Sequence, residues 1–313
     1  MALPLTTPVL PQLARPRATL PEDDGWAFEP KWDGFRAIAF VDGEETFLQS
    51  RNAKTLSRYF PELTFAPGRY VLDGEIVIHG PDGRQEFDLL GQRIHPAASR
   101  VARLAAETPA TFVAFDLLAR DDEILLEHGY LERRAALQEL IAGAVELTPM
   151  VRSAGEAQHW LHDAEGVIAK EIDAPYRPGE RAGMVKVKRV RTMDAVVMGW
   201  RPGKAEGTVG ALILGLYDDT GALREIGHSS GFTAREKREL VERLRPYETG
   251  ERGSGEPSRW SAGRDLQWVS LRPELVVEVS FDHVSDGRIR HGAKVARWRE
   301  DKAPQECTID QLA

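Results

Sequence analysis

The stretch Glu29-Pro30-Lys31-Trp32-Asp33-Gly34-Phe35-Arg36 constrains the rest of the chain most. Trp26-Ala27-Phe28 before it and Ala37-Ile38-Ala39-Phe40-Val41 after it are apolar runs of strand length. Lys31 is therefore expected in a connection between strands, held by sheet on both sides. Gly34 is expected to let the backbone approach a ligand there. A lysine amine so held can act as a covalent nucleophile if it is neutral. Adjacent positive charge, from Arg36 or a metal ion, favours the neutral form. The octapeptide by itself does not separate this chemistry from a solvated lysine at a strand end.

A length of 313 residues suggests about two domains. With 42% apolar and 29% charged residues, the chain has material for buried cores. The single cysteine, Cys307, excludes an intramolecular disulfide and a cysteine-rich metal site. It fits a reducing compartment, so a cytoplasmic location is expected. Residues 1–24 carry Pro4, Pro8, Pro11, Pro16 and Pro21 and no long apolar run. They are expected to form an extended arm, neither a signal peptide nor a membrane span. The net charge of −8 argues against a generally basic nucleic-acid binder. Residues 1–188 hold 21 Lys and Arg against 29 Asp and Glu, whereas residues 189–313 hold 20 of each. A polyanion site must therefore come from local basic patches.

Along the chain, Asp42-Gly43 marks a hairpin turn, and residues 46–49 return as a strand. Ser50 or Asn52 is placed to cap a short helix, on which Arg51, Lys54 and Arg58 would share one side. Residues 70–78 form a strand interrupted by Asp73-Gly74-Glu75, since Asp and Gly are depleted in strands. The Glu75 carboxylate, among apolar neighbours, needs a hydroxyl, cation or metal partner. Residues 87–94, 99–107 and 131–141 have helical patterns, and residues 111–118 form a buried strand in which Phe115 would ordinarily be core. Glu165-Gly166 opens a second strand with an acid followed by glycine. Strand alternation puts Lys186 and Lys188 on one face, where they repel unless an anion lies between them.

From Met193 the pattern changes. Residues 195–200, 210–217 and 222–227 are strand-like. A helix over 233–245 follows, with Thr233 and Glu236 spaced as a capping box, then strands over 267–271 and 275–281. Five strands with a helix between the third and fourth is the layout of an OB-fold, a barrel that commonly binds nucleic acid. Residues 288–302 form a basic segment with six Lys and Arg against Glu300 and Asp301.

Taken together, these segments resemble the ATP-dependent DNA ligases, within the covalent nucleotidyltransferase superfamily, over about residues 25–302. Lys-x-Asp-Gly-x-Arg matches Lys31, Asp33, Gly34 and Arg36, and Ser-Arg-Asn matches residues 50–52. Asp-Gly-Glu matches residues 73–75, Phe-Asp-Leu-Leu residues 115–118, and Glu-Gly-Val-Ile-Ala-Lys residues 165–170. Lys-Val-Lys matches residues 186–188, and Arg-x-Arg-x-Asp-Lys residues 297–302. Any one motif is weak, but all seven in order are specific. The length is similar to that of stand-alone bacterial ligases of the C type and of the ligase domain of multidomain end-joining ligases. Met184 stands where the family often has Trp.

The resemblance implies an α+β fold: a nucleotidyltransferase (ATP-grasp-like ligase) domain over residues 25–189, then a C-terminal OB-fold β-barrel over 190–313, with a hinge near 188–191. It implies three phosphoryl transfers, through a lysyl-AMP on Lys31, an adenylylated 5′-phosphate and attack by a 3′-OH. Glu29 would lie at the adenine edge, Phe115 on the adenine face and Glu75 at the ribose. Arg36 and Arg51 would serve ribose and phosphates, with Arg181 assisting. Lys186 and Lys188 would hold the α-phosphate, and Arg297, Asp301 and Lys302 the pyrophosphate. Mg²⁺ or Mn²⁺ would sit on Glu165 with Glu75 or Asp33. Arg51, Lys54 and Arg58 would contact nicked double-stranded DNA, bound by a monomer. The competing readings are an RNA ligase, a GTP-using capping enzyme and a non-catalytic nick-binding module.

Overall fold

In the computed structural model, Met1–Arg189 and Val190–Ala313 form two compact units. The structure describes all residues except 1–2, 82, 142–144, 189–190, 255–266, 283, 286, 290–291 and 313, and leaves out the side chain of Ser285. The expected hinge at 188–191 and Arg290 and His291 of the basic segment thus fall wholly or partly outside the described residues.

The first unit carries strands β1 (Arg15–Pro16), β2 (Trp26–Pro30), β3 (Phe35–Gly43), β4 (Glu45–Ser50), β5 (Gly68–Val77), β6 (Thr111–Arg120), β7 (Glu123–Ile124), β8 (Val145–Leu147), β9 (Gly166–Glu171) and β10 (Met184–Lys188). Its helices are α1 (Phe87–Arg93), α2 (Ala98–Glu107), α3 (Tyr130–Leu140), α4 (Ala154–Ala157) and α5 (Trp160–Asp163). One sheet runs β4-β3-β5-β6-β7, with β8 parallel to β6; the other runs β1-β10-β9-β2. The apolar run of β3 serves two cores at once. Ala37, Ala39 and Val41 face one cluster with Leu72, Phe112 and Leu137, while Ile38 and Phe40 face another with Val9, Val71 and Tyr176. A strand buried on both faces reads as continuous apolar sequence, as this one does.

Four expectations change here. Residues 50–59 are not an α-helix. The Ser50 hydroxyl accepts from Lys54 N–H at 3.0 Å and the Lys54 carbonyl accepts from Ser50 N–H at 2.7 Å, closing a tight loop before a 3-10 turn at Ser57–Tyr59. Serine is used in a local turn rather than as a helix cap, so Arg51, Lys54 and Arg58 do not share a helix face. Second, β5 runs unbroken through Asp73-Gly74-Glu75, with a pairing shift against β6 between Asp73 and Gly74. Third, the close approach at Gly34 is to a neighbouring strand: a Cβ there would come within 2.2 Å of the Ile76 carbonyl oxygen. Fourth, the extended N-terminal segment is sewn into the unit. Arg15–Pro16 pairs in parallel with β10, and the Gln49 side chain both donates to the Val9 carbonyl (2.6 Å) and accepts from Val9 N–H (3.2 Å).

The second unit carries β11 (Arg191–Pro202), β12 (Val209–Tyr217), β13 (Leu223–Ser229), β14 (Glu248–Ser254), β15 (Gln267–Leu271), β16 (Val276–Phe281), β17 (Val284–Ser285), β18 (Arg288–Ile289) and β19 (Lys294–Trp298), and among its described residues one α-helix, α6 (Ala234–Leu244). β11 pairs with β12 along one edge; along the other it pairs first with β16 and then, at Gly199–Trp200, with β15. β16 continues to β19, and a parallel bridge joins Ser229 to Ala293. Val197, Leu212, Leu214, Val277 and Val279 fill the core. The capping box forms: Thr233 N–H donates to the Glu236 carboxylate at 2.7 Å, and Glu236 N–H to the Thr233 hydroxyl at 3.3 Å. β14 and β19 lie outside the expected set. β14 is almost wholly exposed, so it carries no apolar alternation to read. Among the described residues no helix is long and apolar enough to cross a membrane.

Candidate active site

Lys31 lies where the two sheets of the first unit meet, since β2 belongs to one and β3 to the other. Its N–H donates to the Gly166 carbonyl at 2.9 Å, which fixes it against the start of β9. Gly166 has φ +144°, and a Cβ there would lie 2.2 Å from the Val187 carbonyl oxygen. Only glycine fits, and this tight approach brings the preceding residue, Glu165, to the lysine. The Glu165 carboxylate contacts the Lys31 amine and holds Lys188 Nζ at 2.9 Å. The strand register sets the rest: Lys186, Ile168 and Glu29 form one rung across β10, β9 and β2, and Lys188 pairs with Gly166 two rungs further on.

Burial is the largest influence on the amine and favours its neutral form; Lys188 and Lys186 push the same way, while Glu75 and Asp33 oppose, leaving Lys31 at about 8. Burial also raises the Glu75 carboxyl to about 8, against the pull of Arg36 and Lys31. An acid and an amine thus titrate together at this spot.

A cavity of about 200 Å³ extends from Lys31. Of the expected site residues, Glu29, Lys31, Arg36, Arg51, Glu75, Phe115, Arg181 and Lys186 line it. Asp33, Glu165 and Lys188 gather around the Lys31 amine without lining the cavity. Lys54 and Arg58 are exposed away from it, and Arg58 donates to the Pro96 carbonyl at 2.9 Å. Arg297, Asp301 and Lys302 belong to the second unit, paired with Glu278 (2.7 Å), Arg299 (2.9 Å) and Glu306 (3.3 Å) respectively. Among the described residues no three Asp, Glu, His or Cys side chains form a ready metal cage.

Several lining and supporting residues had no role in the sequence reading. Lys170 is buried; its amine donates to Glu29 at 2.9 Å and to the Phe115 carbonyl at 2.9 Å, and it lies 4.9 Å from the Phe115 ring centre. The Tyr130 hydroxyl donates to the other Glu29 oxygen. Arg36 is not free: it makes two bonds to Asp73, at 3.1 and 2.6 Å, with its guanidinium 5.2 Å from the Phe115 ring centre. Ile168 lines the cavity between Glu29 and Lys186. Alternation from Gly166 puts Ile168 and Lys170 on one strand face, a signal present in the sequence. Met184, at the family's frequent Trp position, is buried and lines the cavity, removing no charged group.

Comparison with known proteins bears on the same residues. The family model described as "ATP dependent DNA ligase domain" matches residues 11–188, and "ATP dependent DNA ligase C terminal region" matches residues 205–302. DNA ligase C1 of Mycolicibacterium smegmatis is 43% identical over 100% of this chain and 96% of its own length. DNA ligase C of Mycobacterium tuberculosis is 42% identical over the same shares. Among solved structures, the ligase domain of M. tuberculosis LigD has a TM-score of 0.54 at 31% identity, covering 96% of this chain and 98% of that one. The loop that carries Lys31, the two sheets behind it and the cavity all fall inside the first matched region, and the chain belongs to the ATP-dependent DNA ligase family.

Proposed function

We propose that the protein seals nicks in duplex DNA through an AMP carried on Lys31. The observation that carries this reading is the Lys31 amine, brought to about 8 among Glu165, Glu75, Lys186 and Lys188, at one end of a cavity whose wall holds Phe115. The neutral amine's lone pair forms a bond to the α-phosphorus of ATP, the bridging P–O bond breaks, pyrophosphate leaves with that electron pair, and the amine proton passes to solvent. The AMP then moves to the 5′-phosphate of a nick, and the 3′-OH displaces it. Each transfer depends on alignment and charge neutralisation, which Lys186 and Lys188 supply to the α-phosphate and Arg36 and Arg51 to ribose and phosphates, with Arg181 beside them. Glu75 takes the ribose, and Phe115 takes the adenine face.

The choice of base follows from Glu29 and Lys170. A carboxylate acceptor stands beside an ammonium donor, both buried. Adenine offers a donor amino group next to an acceptor nitrogen; guanine offers the reverse order. This favours ATP over GTP and weighs against a capping enzyme.

Glu165, Glu75 and Asp33 supply the hard oxygen donors that Mg²⁺ or Mn²⁺ takes together with water and phosphate oxygens, and such an ion would offset the phosphate charge. Arg297, Asp301 and Lys302 serve the pyrophosphate in the first step. Arg51, Lys54 and Arg58 serve the backbone of nicked duplex DNA, bound by a monomer in the bacterial cytoplasm. We take residues 1–24 as the arm, 25–189 as the adenylation domain and 190–313 as an OB-fold. The order β13-β12-β11-β16-β19, with the parallel Ser229–Ala293 bridge joining its two ends, supports the barrel reading, with β14 and β15 as an added hairpin.

Incubation with labelled ATP and Mg²⁺, followed by mass measurement, is expected to give a one-AMP adduct on Lys31. Lys31→Ala is expected to give none and to seal no 5′-phosphorylated nick. An adduct elsewhere, or equal labelling from GTP, would overturn the reading.

A further inference from the structure

Arg36 is held in place by residues that the proposed chemistry does not use. Asp73, fully buried, receives both Arg36 bonds and also accepts from the Tyr176 hydroxyl at 2.6 Å. The Tyr176 oxygen in turn accepts from the Gln12 backbone N–H at 3.0 Å. Burial, with the Asp73 charge next, pushes the Tyr176 phenol well above its ordinary range, so it remains a donor at any working pH. Gln12, itself buried, clamps both ends of one loop: its carboxamide oxygen accepts from Arg177 N–H at 3.2 Å, and its amide group donates to the Ala182 carbonyl. That loop carries Arg181, and the two residues after Gln12, Leu13 and Ala14, line the cavity.

We propose that Tyr176, clasped by Gln12, is a positioning residue for the nucleoside triphosphate: it fixes Asp73 so that Arg36 stays beside Phe115 in the cavity wall, and so makes the N-terminal segment a working part of the nucleotide site. The inference rests on the reading that this cavity takes ATP. A carboxylate held by one guanidinium alone can rotate about its own bond and take the guanidinium with it. A third bond, from a rigid phenol, removes that freedom. Because the later steps start from AMP already joined to Lys31 or to DNA, misplacing Arg36 should weaken capture of free ATP far more than it slows those steps.

The test uses the full chain with Tyr176→Phe, which keeps the ring and removes only the hydroxyl. For adenylylation of Lys31, the ATP KM is expected to rise about tenfold, the size of one hydrogen bond to a charged group. The rate at saturating ATP, and single-turnover sealing of a pre-adenylylated nick, are each expected to stay within about twofold. Gln12→Ala is expected to move KM in the same direction by less, and it serves if Tyr176→Phe does not fold. A purely structural role would lower the melting temperature and leave KM unchanged, or would depress both assays equally. Either result, with wild-type adenylylation normal, overturns the inference and leaves the reading of the cavity intact. Failure of the wild type to form any adenylate overturns both.

Discussion

The two units hold their charged motif residues in opposite ways. In the first, Glu165 and Lys170 keep only 7% and 6% of their side-chain surface exposed, and the neighbouring Lys31 amine and Glu75 carboxyl are both driven to about 8 by burial. In the second, Arg297 and Asp301 keep 62% and 66% exposed. Asp301 is drawn down to about 2, chiefly by its hydrogen bonds from Arg299. Buried charges are tuned by what surrounds them and cost a great deal to rearrange. Exposed pairs are worth little and change partners easily. On the proposed reading the first unit activates one amine, whereas in the second Arg297 and Lys302 could exchange Glu278 and Glu306 for a phosphate, and Asp301 could release Arg299, at small cost.

The sharpest attempt to break this comparison is Glu165→Gln. The amide keeps the shape and removes the charge that meets both Lys31 and Lys188. If the buried carboxylate positions the amine, Lys31 adenylylation should fall by about 10²-fold or more, the scale of losing one preorganised electrostatic partner. Faster labelling at neutral pH would instead mean that Glu165 only suppresses the free amine.

The next effect is on pH dependence. At pH 7 an amine of ordinary pKa is neutral in about one molecule in 3,000, whereas one at about 8 is neutral in roughly a tenth. The kcat/KM of adenylylation for ATP should therefore rise about tenfold per pH unit below about 8 and level off above it, the break belonging to the Lys31 and Glu75 pair together. A rise continuing past pH 10 would show an amine that burial does not tune.

The same contrast explains what could be read from the sequence. Lys31 was legible because apolar runs on either side fix a strand-to-strand connection, whatever the fold around it. The capping box of α6 was legible because both partners lie within four residues. The hold of Asp73 on Arg36 was not, because it joins β3 to β5 across 37 residues. Nor was Tyr176, 103 residues from Asp73. Three cations at helical spacing after Ser50 suggested a helix, yet spacing cannot say whether Ser50 will spend its hydroxyl on a helix or on a turn. Gly34 was rightly marked as a close approach, but sequence does not name the neighbour, which is the Ile76 carbonyl.

In the second unit, Asp301→Ala should slow Lys31 adenylylation by about tenfold while leaving sealing of a pre-adenylylated nick unchanged. Stability should change little, because Asp301 is exposed and Arg299 keeps Asp194 at 2.8 Å. Equal losses in the two assays would mean that Asp301 serves every step and that exchange of surface partners is the wrong account of this region.

The smallest expected effect is Thr233→Ala, which tests whether the second unit's stability can be separated from the chemistry of the first. The substitution removes the hydroxyl that accepts from Glu236 N–H, and with it half of the capping box. Loss of such a cap costs about 1 kcal/mol, so the melting transition that reports on the second unit should fall by a few degrees. The helix α6 belongs to the second unit and Lys31 to the first, so the adenylylation rate should not move. Were Thr233→Ala to slow adenylylation as much as Asp301→Ala does, the second unit would contribute through its integrity as a whole, and the particular charges of Arg297, Asp301 and Lys302 would lose the role argued for them.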